Sequence, residues 1–264
     1  MGDFLDAPPG DNLLHAPPGG DAPQRVVSLN LCTDQLAMLL AAPGQLISVS
    51  RLASDPRSSA MARQAASWPR NAGQAEEIFL LNPDLVLAGR YTARTTVSML
   101  ERLGIPVQRF DPASGLDEVP DRIAKMGEAL GREAAATALI ARFEADLLSL
   151  RYEVGAERAA IYQANGYTLG SGTMAADIME AAGLRNVMAD RPGGGRLPLE
   201  LLVMRAPDML ITSTPYPGAS RSEEILSHPV LQAMALPRAN TGPDWICGTP
   251  YVLRAIRDLQ EVAR

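Results

Sequence analysis

Histidine is almost missing from this sequence: His15 and His228 are the only two in 264 residues. A hydrolase built on a Ser-His-Asp or Cys-His relay has little to draw on, and no GxSxG occurs. Cysteine is equally scarce. Cys32 and Cys247 form no CxxC and no zinc spacing, and no histidine lies near them, so a metal centre made of protein ligands is not expected. A count this low fits an exported protein. Lysine occurs once, Lys125, against 23 arginines. With a net charge of −6 and no basic cluster, nucleic acid is excluded as a partner. No apolar run reaches the ~20 residues that cross a bilayer. Aromatic residues make up only 5% of the chain, so where they fall matters.

What is present is core: 47% of residues are apolar. The opening "MGDFLDAPPGDNLLHAPPGGDAPQ" has no basic n-region and no apolar h-region, so it does not read as a signal peptide. Rich in Pro, Gly and Asp, residues 1–24 are expected to form a disordered tail. Order begins at Arg25. "RVVSLNL" reads as a buried strand and "TDQLAMLLAA" as a helix capped by Thr33 or Asp34. "QLISVS", "DLVLAG" and "IPVQRF" are further strands, with helices "AEEIFLLN" and "TTVSMLERLG" among them. Strand–helix alternation of this kind marks a parallel sheet.

The alternation then stops. From Leu116 to about Val154, apolar residues recur at steps of three and four, as Ile123, Met126, Leu130, Phe143 and Leu147 show. This predicts one long helix. Alternation resumes with the strand "RAAIYQ", a glycine-rich loop, the helix "MAADIMEAAG", the helix "LPLELLVMRA", the strand "PDMLITS" and a helix over "SEEILSHPVLQAM". The expected fold is α/β: a tail over 1–24, an N-terminal lobe over 25–115, an interlobe helix over 116–154 and a C-terminal lobe over 155–264.

One phrase occurs twice. Glu76, six residues, then Pro83-Asp84 and an apolar run returns 124 residues later as Glu200, six residues, then Pro207-Asp208. The repetition predicts two halves of similar build.

In such a fold, ligands bind outside the carboxyl ends of the strands. The first half offers Leu31, Cys32, Arg51, Trp68, Arg90 and Tyr91 there; the second offers Tyr162, Asn165, Tyr167, Tyr216, Trp245 and Cys247. Both tryptophans and most tyrosines fall in these loops, which suits a large, flat, partly apolar ligand. A rival reading rests on "GSGTMA": Gly170 and Gly172 fit a G-x-G-x-x-A dinucleotide loop, the one sign of an enzyme.

Together, "RVVSLNLCTDQLAMLL", "AEEIFLLNPDLVLAG", "TLGSGTMAADIMEAAGLRNV", "LPLELLVMRAPDMLI" and "DWICGTP" resemble the periplasmic substrate-binding proteins of ABC importers for vitamin B12, ferric siderophores and haem, the helical-backbone type. The similarity covers about residues 25–262. It implies a monomeric binding protein with no catalytic cofactor, periplasmic or tethered on the outer face of the membrane. The ligand would be a metal-containing chelate held between two lobes, with a corrinoid ahead of a ferric siderophore and haem third. It implies docking on a transmembrane permease through Glu76 and Glu200, and Tyr91 or Tyr167 as an oxygen ligand if the cargo is haem. Cys32 and Cys247 depart from the family pattern. Placed in loops facing the cleft, one from each lobe, they could form a disulfide, contact the ligand or hold a metal.

Overall fold

A computed structural model describes residues 20–215, 218 and 220–263; the expected tail over 1–24 lies mostly outside this range. The chain divides into two compact units. The first holds the described residues up to Ala113, Asp117–Ala145 and Ile246–Tyr251; the second holds Ser114–Leu116, Asp146–Trp245 and the residues from Val252 on.

In the first unit, β1 (Val26–Ser28) leads into helix α1 (Leu31–Leu40), then β2 (Leu46–Ser50), the short helix α2 (Ala62–Ala65) and β3 (Arg70–Asn71). Helix α3 (Ala75–Leu80), β4 (Leu85–Gly89), α4 (Arg94–Arg102) and β5 (Val107–Phe110) follow. The five strands are all parallel, in the order β3-β2-β1-β4-β5. The chain therefore builds outward from β1 in one direction, returns, and builds outward in the other. The core packs Val27, Ile78, Val86 and Leu100 together. Helix α1 is capped by Asn30, not by Thr33 or Asp34: the Asn30 side chain accepts the Cys32 N–H at 3.0 Å. Thr33 instead turns inward to the Ser28 hydroxyl at 2.8 Å.

The run expected as one helix over 116–154 is interrupted. It forms α5 (Val119–Leu130) and α6 (Glu133–Leu150) after a 3-10 turn at Leu116–Glu118. Gly131 takes φ 63°, a left-handed conformation that ends α5, and the buried Arg132 donates to the Leu40 carbonyl at the end of α1. Apolar spacing runs on through the break, which is why periodicity alone missed it.

In the second unit, β6 (Arg158–Ile161), β7 (Tyr167–Leu169), α7 (Met174–Ala181), β8 (Arg185–Asn186) and β9 (Gly194–Arg196) come first. Helix α8 (Leu199–Arg205), β10 (Met209–Ser213), α9 (Pro229–Ala233), β11 (Arg238–Thr241) and α10 (Val252–Val262) complete it. Its main sheet is parallel, in the order β11-β10-β6-β8, with β7 and β9 as an antiparallel pair. The helix expected over "SEEILSHPVLQAM" is a 3-10 segment, Arg221–Ser227, followed by α9. The break falls at His228-Pro229, where proline offers no N–H and the His228 ring accepts from Val230.

The repeated phrase has a physical basis. In each unit the residue before Pro-Asp is left-handed: Asn82 at φ 49° and Ala206 at φ 44°. In each, an arginine at the foot of the neighbouring strand holds that turn. Arg25 donates to the Asn82 and Leu81 carbonyls, and Arg158 to that of Ala206.

Candidate functional site

Each sheet reverses direction once, between β1 and β4 in the first unit and between β6 and β10 in the second. Loops at such a switch point diverge and leave a crevice. In the first unit a pocket of about 140 Å³ lies there. Asn30, Cys32 and Thr33 after β1 line it, with Gly89, Arg90 and Tyr91 after β4, and Phe110 to Ala113 after β5. Gly89 leaves room for the cap: a Cβ there would stand 2.8 Å from the Asn30 side chain and push it aside. Tyr91 is 82% exposed, and Arg90 faces Asp111 at 3.4 Å. Arg122 on α5 also lines the pocket; its Nη2 meets Glu118 at 3.1 Å while its buried Nε has no hydrogen-bond partner among the described residues.

The last wall comes from far along the chain. Cys247 is bonded to Cys32 as a disulfide, across 215 residues of sequence, and its neighbours Ile246 and Gly248 line the pocket. Both cysteines belong to the first unit, which corrects the expectation of one from each lobe. Of the alternatives left open by the sequence, the disulfide is the one formed.

Below this pocket is a buried polar layer. The Asp34 carboxylate accepts from the Ser50 N–H and hydroxyl, and Asn71 donates to the Ser28 carbonyl, the Ser48 hydroxyl and the Val49 carbonyl. Burial pushes the Asp34 carboxyl up to about 6, with the hydroxyls of Ser28 and Ser50 pulling the other way.

In the second unit a pocket of about 370 Å³ opens beside β6. Tyr162, Asn165, Arg196, Leu197 and Arg221 are among its lining. Neither the Arg196 nor the Arg221 side chain has a hydrogen-bond or ion-pair partner among the described residues. Tyr162, expected as a free cleft aromatic, is only 1% exposed; it packs with Leu202 and Leu210 and donates to the Leu197 carbonyl at 3.2 Å. Tyr167 stands half-exposed on β7, outside this lining. Trp245 is half-buried at the end of a 3-10 turn beside Asp244, whose carboxyl burial lifts to about 6 against the pull of Arg254. Tyr216 lies outside the described residues.

Strand order explains which predicted residues miss the first pocket. Arg51 follows β2, and Trp68 precedes β3, both on the far side of β1 from β4. Leu31 is buried in the first turn of α1. Sequence reasoning missed Arg122, Arg196 and Arg221, which it assigned to a polar helix face or left in loops.

The glycine loop is not a phosphate cradle. A Cβ on Gly170 would stand 1.8 Å from the Arg191 carbonyl, so this glycine admits a second stretch of backbone. Its N–H donates to Gly193, and that of Ser171 to Arg191. With these amides engaged, the dinucleotide reading loses two of its donors.

Glu76 and Glu200 both sit exposed in the first turn of their helices, α3 and α8. The adjacent Glu77 turns back to the preceding loop, accepting the Ala72 N–H at 2.7 Å. Neither the Glu76 nor the Glu200 carboxylate has a hydrogen-bond or ion-pair partner among the described residues.

Two parallel sheets with a pocket at each switch point place the chain in the α/β class. A family model described as periplasmic binding protein matches residues 26–237, and the chain belongs to that family. Over 198 residues it is 29% identical to the cobalamin-binding protein of Halobacterium salinarum, covering 72% of this chain and 54% of that protein. The chain thus spans about half the length of that relative. It is 25% identical over 256 residues to the vitamin B12-binding protein of Yersinia pestis, covering 94% of this chain and 88% of that one. The solved periplasmic haem-binding protein HutB of Vibrio cholerae shares the fold, with a TM-score of 0.73 at 20% identity over 91% of this chain and 98% of that chain. The family is one of binding proteins and not of enzymes.

Proposed function

We propose that this protein captures a metal–organic chelate, with a corrinoid of the vitamin B12 type as first choice, and delivers it to an ABC permease. The supporting observation is the likeness to two cobalamin- and B12-binding proteins, one of them over 94% of this chain. The residues proposed to touch the ligand are Asn30, Arg90, Tyr91 and Arg122 in the first unit, and Asn165, Arg196 and Arg221 in the second. Periplasmic location, or tethering on the outer face of the membrane, follows from the family reading. No helix among the described residues is long and apolar enough to cross a membrane.

Docking on the permease is proposed through Glu76 and Glu200. An exposed carboxylate with no internal partner can offer all its acceptor sites to an arginine on another protein.

Calorimetric titration with cyanocobalamin tests the ligand. One-to-one binding in the nanomolar to micromolar range is expected, and absence of heat with this ligand rejects the corrinoid assignment. Haem is the second reading. It is favoured by Tyr91, an exposed phenol beside Arg90 on the pocket lip, which offers an oxygen ligand for iron next to a cation for a carboxylate. A tyrosinate-to-iron charge-transfer band with haemin, lost in Tyr91→Phe, would establish it.

A further inference from the structure

The segment Ile246–Tyr251 is the one stretch after residue 145 that packs with the first unit; the residues on both sides of it belong to the second. Its two halves are held differently. Thr249, Pro250 and Tyr251 are buried, and the Thr249 hydroxyl meets Gln35 Oε1 at 3.3 Å. Ile246, by contrast, is 52% exposed, and its neighbour Cys247 is buried where it meets Cys32. The covalent tie of this half to the unit is that Cys247–Cys32 bond, with the Cα atoms 5.2 Å apart. Cys32 is itself placed by Asn30, which accepts its N–H and lines the same pocket.

We propose that the Cys32–Cys247 disulfide is a positioning element of the first unit's pocket: it holds Ile246 and Gly248 as a wall, and its reduction loosens that wall while leaving the rest of the unit folded. The reducing partner is a dithiol. Two electrons and two protons pass from it to the S–S bond, giving the Cys32 and Cys247 thiols and the disulfide of the reductant. Chelate affinity then depends on redox state. This last step rests on the ligand reading above; the loosening does not.

Hydrogen exchange is measured on the oxidised protein, the dithiothreitol-reduced protein and Cys32→Ser/Cys247→Ser, with cyanocobalamin and haemin titrations alongside. Exchange in peptides covering 30–33 and 245–248 is expected to rise tenfold or more, with β6 and β10 unchanged. The affinity for whichever chelate binds is expected to fall tenfold or more. Unchanged exchange in those peptides overturns the proposal. So does faster exchange with equal affinity in the two redox states. If neither chelate binds the oxidised protein, the ligand reading fails by itself, and the exchange data still decide whether the disulfide holds the wall. Global loss of protection in the double serine variant, with the reduced wild type still folded, would leave the reduced wild type as the deciding sample. Global loss in both overturns the local character proposed here.

Discussion

Arg25 and Asp84 hold each other at both ends: the Asp84 carboxylate accepts the Arg25 N–H at 2.9 Å, and the Asp84 N–H donates to the Arg25 carbonyl at 3.1 Å. Arg158 and Asp208 repeat the arrangement at 2.9 and 2.7 Å. Each pair pins the start of one central strand to the start of the next, so it fixes the register across the switch point. Asp84→Ala and Asp208→Ala should each cost about 1–2 kcal/mol, since hydrogen bonds to a charged group are lost from a partly solvated site. Urea midpoints measure this; a change below ~0.5 kcal/mol in both would mean that the pairs follow the register without enforcing it.

The pH dependence of stability has a defined sign. With the Asp34 carboxyl raised to about 6 in the fold, the native state keeps a proton that the unfolded chain has already released above pH 4. Stability from this group is therefore greatest below pH 4 and declines as pH rises through 6. A shift of this size is worth on the order of 3 kcal/mol. Asp244 moves in the same direction. Asp34→Asn should flatten the decline between pH 4 and 6 in urea titrations, and an unchanged slope would show that Asp34 is already ionised in the fold.

Pocket residues can be separated from loop aromatics by substitution. Tyr91→Ala and Arg122→Ala should each weaken chelate binding about tenfold, or about 1.4 kcal/mol. Trp68→Ala, which lies away from the pocket lining, should leave it within twofold. Calorimetry on the three variants decides, and the reverse ranking would move the site from the β1–β4 pocket to the loop that carries Trp68.

Docking and binding should be separable as well. Reversing both charges in Glu76→Arg/Glu200→Arg should abolish delivery of labelled chelate by the importer while chelate affinity stays unchanged. Transport at the wild-type rate would remove these glutamates from the permease contact.

Much of the fold was legible because it repeats local patterns: apolar strands, helices closed by Pro-Asp, and the same phrase at Glu76 and Glu200. The site was only partly legible. Alternation shows that loops follow strands but not which strands are neighbours, and it is the β1–β4 adjacency that brings Arg90 and Tyr91 in and leaves Arg51 and Trp68 out. Tyr162 lines the second pocket yet is buried, and an aromatic at a strand end looks the same in sequence whether its ring turns to solvent or to Leu202. The break at Gly131 was hidden by apolar spacing that both helices share. Cys32 and Cys247 carried no pairing signal, because a separation of 215 residues says nothing about distance in space.

That long separation bears on how the protein is made. The first unit contains β1 and also a wall that includes Cys247, 215 residues beyond Cys32. During synthesis or export from the amino end, its sheet can assemble early, but Cys32 must wait as a free thiol until those 215 residues have followed. Closure of the pocket thus comes after assembly of the sheet, timed by the arrival of Ile246–Tyr251 and by an oxidant, and a chain cut short before Ile246 would fold its first sheet without ever completing that wall.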